Sequence, residues 1–126
     1  MYVSLDNSSY NATNSVDSNG ITVFTHNANA DFNTEWFGLN KEDKTVFLTI
    51  ITSGFNGTAT LTWQHSSDKA VVFDLVNSVG TTVALSLDGT PANDYFINGN
   101  YPFCYHRLAF SKGTNSSGTI KILLDK

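Results

Sequence analysis

The fold is decided by one stretch of seven residues, Thr58-Ala59-Thr60-Leu61-Thr62-Trp63-Gln64, in which polar and apolar side chains alternate without a break. Successive side chains of a β-strand point to opposite faces of its sheet, so this pattern predicts a strand with one buried and one solvent-facing side. Trp63 falls on the buried side, where it is the predicted main aromatic of the core. The threonines and Gln64 fall on the outer side.

Similar short runs of strand-forming residues recur along the chain, separated by turn residues. The run at residues 45–52 is apolar and β-branched, which is typical of a strand buried on both faces. Asn56-Gly57 is the strongest hairpin signal, and residues 94–102, of mixed aromatic and polar character, are a predicted loop. The predicted strands cover residues 21–26, 45–52, 58–64, 71–75, 83–87, 103–111 and 119–124.

The spacing of these runs predicts the fold class. Val71-Phe73-Leu75 and Ile120-Ile122-Leu124 repeat the alternation, and no segment carries the apolar period of a helix. Seven or eight strands, spaced about ten residues apart, predict an all-β fold: an antiparallel two-sheet β-sandwich of the jelly-roll or Ig-like kind. Residues 1–20 are polar, carry little periodicity and form a predicted N-terminal arm. Residues 21–126 form a single predicted β-sandwich domain.

The composition favours a neutral, hydrogen-bonding surface. Of the 126 residues, 40% are hydrophobic, enough to fill one core, whereas 14% are charged, well below the roughly 25% of an average globular protein. The chain contains 13 Ser, 15 Thr and 14 Asn. Such a surface suits a protein that faces sugars or neighbouring subunits in a crowded assembly.

The charge and the sequence pattern argue against a nucleic-acid partner, a membrane span, a signal peptide and an internal disulfide. The net charge is −4, with one Arg and six Lys, so the basic stripe of a nucleic-acid-binding protein is missing. No apolar run approaches the ~18 residues of a membrane span. The N-terminal residues lack the pattern of a signal peptide, and a single cysteine, Cys104, allows no internal disulfide.

Two groups of residues invite a catalytic or metal-binding interpretation. His65 stands beside Ser66-Ser67-Asp68, but adjacent residues in a turn cannot align a nucleophile, a base and an orienting acid. Cys104 and His106 share a strand face, yet a structural zinc site needs four ligands at recognised spacings. The interpretation favoured here is a small buried thiol beside a histidine that serves the core.

The carboxylates give no stronger signal. Asp88 and Asp94 flank a loop that lacks the dense ladder of oxygen ligands of a calcium site. Glu35, beside Trp36, has no obvious second acid for glycoside hydrolysis. The sequence therefore predicts no catalytic residue, no metal and no cofactor, and the chain is not expected to be an enzyme.

Four aromatic residues are the candidate contacts with a ligand or partner: Trp36, Tyr95, Tyr101 and Tyr10. Solvent-facing Trp and Tyr rings form flat platforms on which sugar rings stack. A glycan-binding domain predicts that Trp36 is exposed and coplanar with Tyr95 or Tyr101. Alternatively, such aromatics plug the open ends of the sandwich or lie at a subunit contact, where Tyr and Trp are enriched.

Three segments carry a resemblance to a known class of protein. Residues 54–69 resemble a hairpin strand of the small β-sandwich virion proteins of tailed phages, with Lys69 where that pattern has Gly. Tyr105-His106-Arg107-Leu108 is similar to their tyrosine-arginine strand, and residues 117–124 are similar to their closing strand. The resemblance spans about residues 54–124.

The resemblance implies a capsid decoration protein or a head-fibre or tail-surface protein, located in the virion. Such a protein docks on neighbouring virion subunits, as a homo-oligomer or in many copies on a symmetric particle, and many weak contacts then hold it in place. The arm at residues 1–20 would lie across a neighbour or pack along its own domain. The alternative is a carbohydrate-binding module or lectin-like domain, with an extracellular location.

Overall fold

The computed structural model describes residues 13–16, 20–38, 45–75, 84–90, 92–98 and 105–125. No helix occurs in these ranges, and the strands form two antiparallel sheets. This confirms the predicted all-β fold with two sheets. The strands are β1 (Thr13–Val16), β2 (Thr22–Asn27), β3 (Phe32–Asn33), β4 (Phe37–Gly38), β5 (Thr45–Ser53), β6 (Ala59–Ser66), β7 (Phe73–Asp74), β8 (Ala84–Leu87), β9 (Ala92–Asn98), β10 (Tyr105–Ser111) and β11 (Thr119–Asp125).

The first sheet has five strands in the order β1-β2-β11-β5-β9. Its central strand β11 alternates as predicted, with Ile120, Ile122 and Leu124 all buried. The prediction that residues 45–52 are buried on both faces is wrong. Ile50 is buried, but Ile51 is 39% exposed on the opposite side, because the outer face of this sheet is open to solvent there.

The second sheet has six strands built around β6 and β10, which pair along seven residues each. On the side away from β6, β10 pairs with the short strands β3 and β4. On the side away from β10, β6 pairs with β8 and β7. Trp63 is 1% exposed, which confirms its predicted place in the core.

The core lies between the two sheets and is lined by residues from both. The ring centroids of Phe24 on β2 and Phe37 on β4 are 5.9 Å apart across the interface. Each fully buried large side chain contributes about 1.5–3 kcal/mol through the removal of apolar area from water. The cluster comprises Phe24, Ala28, Phe32, Phe37, Leu48, Ile50, Ala59, Leu61, Trp63, Leu75, Leu87, Leu108, Phe110, Ile120, Ile122 and Leu124.

The predicted hairpin at Asn56-Gly57 is not a hairpin. β5 belongs to the five-stranded sheet and β6 to the six-stranded sheet, so this turn carries the chain from one sheet to the other. A Cβ atom on Gly57 would lie 2.6 Å from the carbonyl carbon of Thr114. The glycine therefore allows two connections to approach closely, and does not mark a turn between paired strands.

One further prediction about a loop needs correction. Residues 94–98 of the predicted 94–102 loop belong to strand β9, which pairs with β5, because the aromatic and β-branched residues there favour a strand. Residues 13–16 of the predicted arm pair with β2 of the same chain. Residues 1–12 and 17–19 of the arm lie outside the described ranges.

Candidate binding face on the six-stranded sheet

The outer face of the six-stranded sheet carries a row of polar side chains that crosses three strands. Asp74, Gln64 and Arg107 lie side by side on β7, β6 and β10. The amide Nε2 of Gln64 donates to Oδ1 of Asp74 at 3.0 Å, and Nε of Arg107 donates to Oε1 of Gln64 at 2.9 Å. We call these three residues the polar row.

Trp36 extends the polar row at its β10 end. The Cζ atom of Arg107 lies 4.6 Å from the centre of the Trp36 ring, so the guanidinium rests on the indole in a cation–π contact worth about 2 kcal/mol when water is excluded. Arg107 is 8% and Trp36 6% exposed. The prediction that Trp36 is solvent-exposed is wrong, because Arg107 covers it. The buried Nε1 of Trp36 finds no hydrogen-bond acceptor within the described ranges.

The remainder of this outer face carries mostly small side chains. Tyr105, half-buried, stands at one end, where the Nζ atom of Lys69 lies 4.5 Å from the centre of its ring. The face thus combines a floor of hydroxyl and methyl groups with planar groups at one end. The floor consists of Thr60, Thr62, Ala84, Ser86, Ala109 and Ser111.

A hydrogen-bonded loop borders the face beyond β6. Oγ of the buried Ser66 accepts the backbone N–H of Lys69 at 2.8 Å and donates to the carbonyl of Val71 at 2.6 Å. Hydrogen bonds from the N–H groups of Val71 and Ala70 to Asp68 lower the pKa of that carboxyl. These bonds fix the loop conformation.

This loop and the strand that follows it, β7, display apolar side chains that were predicted to point inward. Val71 is 57% and Phe73 51% exposed, whereas Leu75 is buried. The predicted alternation at residues 71–75 is therefore correct only for Leu75. β7 is only two residues long and lies at the end of the strand order, so the opposite sheet does not cover it.

Two histidines lie behind the polar row, on the inner face of the sheet. His65 and His106 are opposite one another on β6 and β10, with 6.1 Å between their ring centroids. The indole N–H of Trp63 donates to Nδ1 of His106 at 2.9 Å. An indole nitrogen can only donate, so Nδ1 of His106 is unprotonated. Burial lowers the pKa of His65, because the charged form is poorly solvated.

Of the four predicted contact residues, the described ranges contain Trp36 and Tyr95, which lie in different sheets or their connections. Trp36 lies beneath Arg107, and the backbone of Tyr95 lies in β9 of the other sheet, opposite Leu48. Tyr101 and Tyr10 lie outside the described ranges, as does Cys104, so their predicted roles remain predictions.

Sequence reasoning missed the polar row itself. The outward direction of Gln64 was available from the alternation of its strand. The chain contains a single arginine, Arg107, which could have been chosen as a candidate site residue. Neither observation shows that Asp74 and Trp36 join them, because those contacts are made only in the folded chain.

No metal or membrane-spanning feature is found in the part of the chain described here. Within those residues no group of three or more His, Cys, Asp or Glu side chains is placed to hold a metal ion. Oδ1 of Asp88 accepts the hydroxyl of Thr90 at 2.6 Å, and this hydrogen bond lowers the pKa of Asp88. The same residues contain no helix with the length and hydropathy needed to cross a bilayer.

No family model matches this chain. No curated protein matches it either. Among solved structures, one similar chain is described as "CBM4 structure and function"; it is 15% identical, with a TM-score of 0.43, and the match covers 93% of this chain and 77% of that one. A likeness of this size does not extend to function.

Proposed function

We propose that this chain is a non-catalytic binding domain that binds a carbohydrate on the outer face of the six-stranded sheet. The observation that carries the proposal is the polar row, in which Asp74, Gln64 and Arg107 are held in fixed orientations by mutual hydrogen bonds. A site that is already ordered loses little side-chain entropy when a ligand binds.

The hydrogen-bonding capacity of the row matches the hydroxyl groups of a sugar. The amide of Gln64 has a second N–H beyond the one given to Asp74, and the carboxylate of Asp74 has a second oxygen. Asp74 is exposed and Gln64 is half-buried. A ligand lying on the row therefore meets donors and acceptors at neighbouring positions.

The charge and shape of the face favour a neutral, extended ligand. Within the polar row, the carboxylate of Asp74 and the guanidinium of Arg107 are both hydrogen-bonded to Gln64. Their opposite charges cancel, so the row as a whole carries no net charge. The floor of Thr, Ser and Ala side chains leaves room for a ligand to lie flat across several strands. The ring of Tyr105 offers an apolar surface beside it.

Affinity gel electrophoresis against a panel of neutral polysaccharides tests the proposal. Wild type should be retarded by at least one of them, and Gln64→Ala should lose about tenfold in affinity, the equivalent of about 1.4 kcal/mol or one to two hydrogen bonds. Lys121→Ala is the matched control, because Lys121 is exposed on the other sheet. Failure of every polysaccharide, or equal loss in both variants, would contradict the proposal.

The second candidate is the virion role predicted from the sequence, in which the domain docks on neighbouring capsid or tail subunits. The observation that favours it is the exposure of Val71 in the hydrogen-bonded loop and of Phe73 at the start of β7, because neighbouring exposed apolar side chains are typical of a protein contact. In this proposal the predicted arm at residues 1–20 provides a second contact through its residues 1–12.

Cosedimentation with particles purified from the native source tests this second candidate. Phe73→Ser should abolish cosedimentation while the circular dichroism spectrum of a β-protein is kept. Deletion of residues 1–12 should weaken it and leaves β1 in place. Ser86→Ala, on the exposed floor of the face, serves as the control. Full cosedimentation of Phe73→Ser would reject docking through this loop.

A further inference from the structure

The two histidines behind the polar row occupy an unusual position for a titratable pair. His106 is fully buried and His65 is 6% exposed, although histidine is only of intermediate burial in most proteins. The ring of His106 stacks on Phe37, with centroids 6.1 Å apart. The pair therefore lies within the apolar core and not beside it.

Protonation of His106 is incompatible with its present hydrogen bond. Nδ1 of His106 accepts the indole N–H of Trp63 at 2.9 Å, and a protonated ring would turn a second N–H toward this donor. A charge inside an apolar core is also costly unless it is paired. An added proton must therefore break the Trp63–His106 bond and move at least one of the two rings.

Among the described residues, the charged groups on the neighbouring strands and loop make contacts of their own. Arg107 and Asp74 belong to the polar row on the outer face, Lys69 lies over Tyr105, and Asp68 accepts amides of its own loop. Glu35 is in the connection between β3 and β4.

The opposite sheet presents apolar side chains to the core, among them Phe24, Leu48 and Leu124. The third histidine, His26, lies further along the core, where its ring centroid is 4.4 Å from that of Phe32. Burial in this apolar surrounding is what lowers the pKa of His65.

The histidines and the polar row occupy consecutive positions on the same two strands. His65 follows Gln64 on β6, and His106 precedes Arg107 on β10, with each pair in register. A shift of these two strands at the histidines must move the neighbouring residues Gln64 and Arg107, whose side chains share a hydrogen bond of 2.9 Å. Protonation of the core histidines is therefore coupled to the arrangement of the polar row on the outer face.

We propose that His65 and His106 form an acid-sensitive switch that disrupts the polar row when the Trp63–His106 hydrogen bond breaks. At neutral pH the row is ordered and binds; in mild acid it is disordered and releases. The importance of this regulation rests on the proposed function of the face, but the switch itself is a property of the unliganded protein.

Nuclear magnetic resonance of the unliganded, ¹⁵N-labelled protein provides the test. The chain has one arginine and two tryptophans, so the Nε–H signal of Arg107 is unique, and Trp36→Phe identifies the indole signal of Trp63. Between about pH 7.5 and about pH 5, the range in which histidines titrate, both signals should move reversibly with a common midpoint. Stationary signals would overturn the proposal, whether or not a carbohydrate binds.

Substitutions of the three histidines separate the switch from a general effect of acid. In His106→Gln the amide oxygen can still accept from Trp63 and does not titrate, so the common transition should disappear. His65→Gln should shift its midpoint, and serves as the second variant if His106→Gln does not fold. His26→Gln is the matched control and should keep the wild-type transition. An unchanged transition in both His106→Gln and His65→Gln would also overturn the proposal.

Discussion

Lys69 adopts a backbone conformation that is normally reserved for glycine. Its φ angle is 67°, in the left-handed region that costs a residue with a Cβ atom roughly 1–2 kcal/mol. The loop tolerates lysine because the hydrogen bonds of Ser66 and Asp68 hold the conformation.

Replacement of Lys69 should therefore separate backbone strain from side-chain contacts. Lys69→Ala and Lys69→Gly both lose the contact with Tyr105, so their difference reports the strain of a Cβ atom at this φ angle less the greater backbone entropy of glycine in the unfolded chain. We expect Lys69→Gly to be about 1 kcal/mol more stable than Lys69→Ala, measured by urea unfolding. Equal or lower stability of Lys69→Gly would show that the strain does not exceed this entropic cost.

Three connections between strands meet at the side chain of Asn115, which lies between β10 and β11. This residue is fully buried. Oδ1 accepts the N–H of Asn56 in the β5–β6 connection at 2.9 Å, and Nδ2 donates to the carbonyl of Ala28 after β2 at 2.8 Å. One amide thus ties together the ends of both sheets.

Asn115→Ala should destabilise the fold by about 2–4 kcal/mol, because it leaves both a donor and an acceptor without a partner. Ser116→Ala is the control. Ser116 is exposed and its hydroxyl accepts one hydrogen bond from Asn56, so this change should cost less than about 1 kcal/mol. The midpoint of urea unfolding measures both. A small loss of stability in Asn115→Ala would mean that a water molecule makes the hydrogen bonds of the missing amide.

These contacts explain which features of the elements the sequence predicts and which it does not. Alternation predicts the buried face of β6 and of β11 because it depends only on the direction of successive side chains. Asn56-Gly57 marks a change of direction but carries no information about the partner strand. The partner is decided by contacts with Thr114 and Asn115, about sixty residues away along the chain.

The candidate site of the folded domain is assembled from segments that lie far apart along the chain. Gln64 comes from the stretch that decided the fold, whereas Asp74, Arg107 and Trp36 come from three others. The sequence predicts Trp36 as a possible platform since it lies in a loop. It does not show that an arginine from another strand covers it, because such a contact has no periodic or local pattern.

The stability of the whole domain should depend on pH through the buried histidine at this site. The pKa of His65 is lower in the folded protein than its ordinary value of 6.5, so the unfolded chain binds the proton first as the pH falls. The free energy of unfolding is therefore highest above about pH 6.5 and decreases below it, until the folded protein also takes up the proton.

Urea unfolding of wild type and His65→Gln at pH values from about 7.5 to about 5 measures this contribution. Other groups titrate in both proteins, and loss of the net charge of −4 reduces self-repulsion as the pH falls, so the difference between the two proteins is the relevant quantity. Wild type should lose stability relative to His65→Gln as the pH falls through this range. A difference that is constant, or that grows in favour of wild type, would mean that His65 takes up its proton at least as readily in the folded protein as in the unfolded chain.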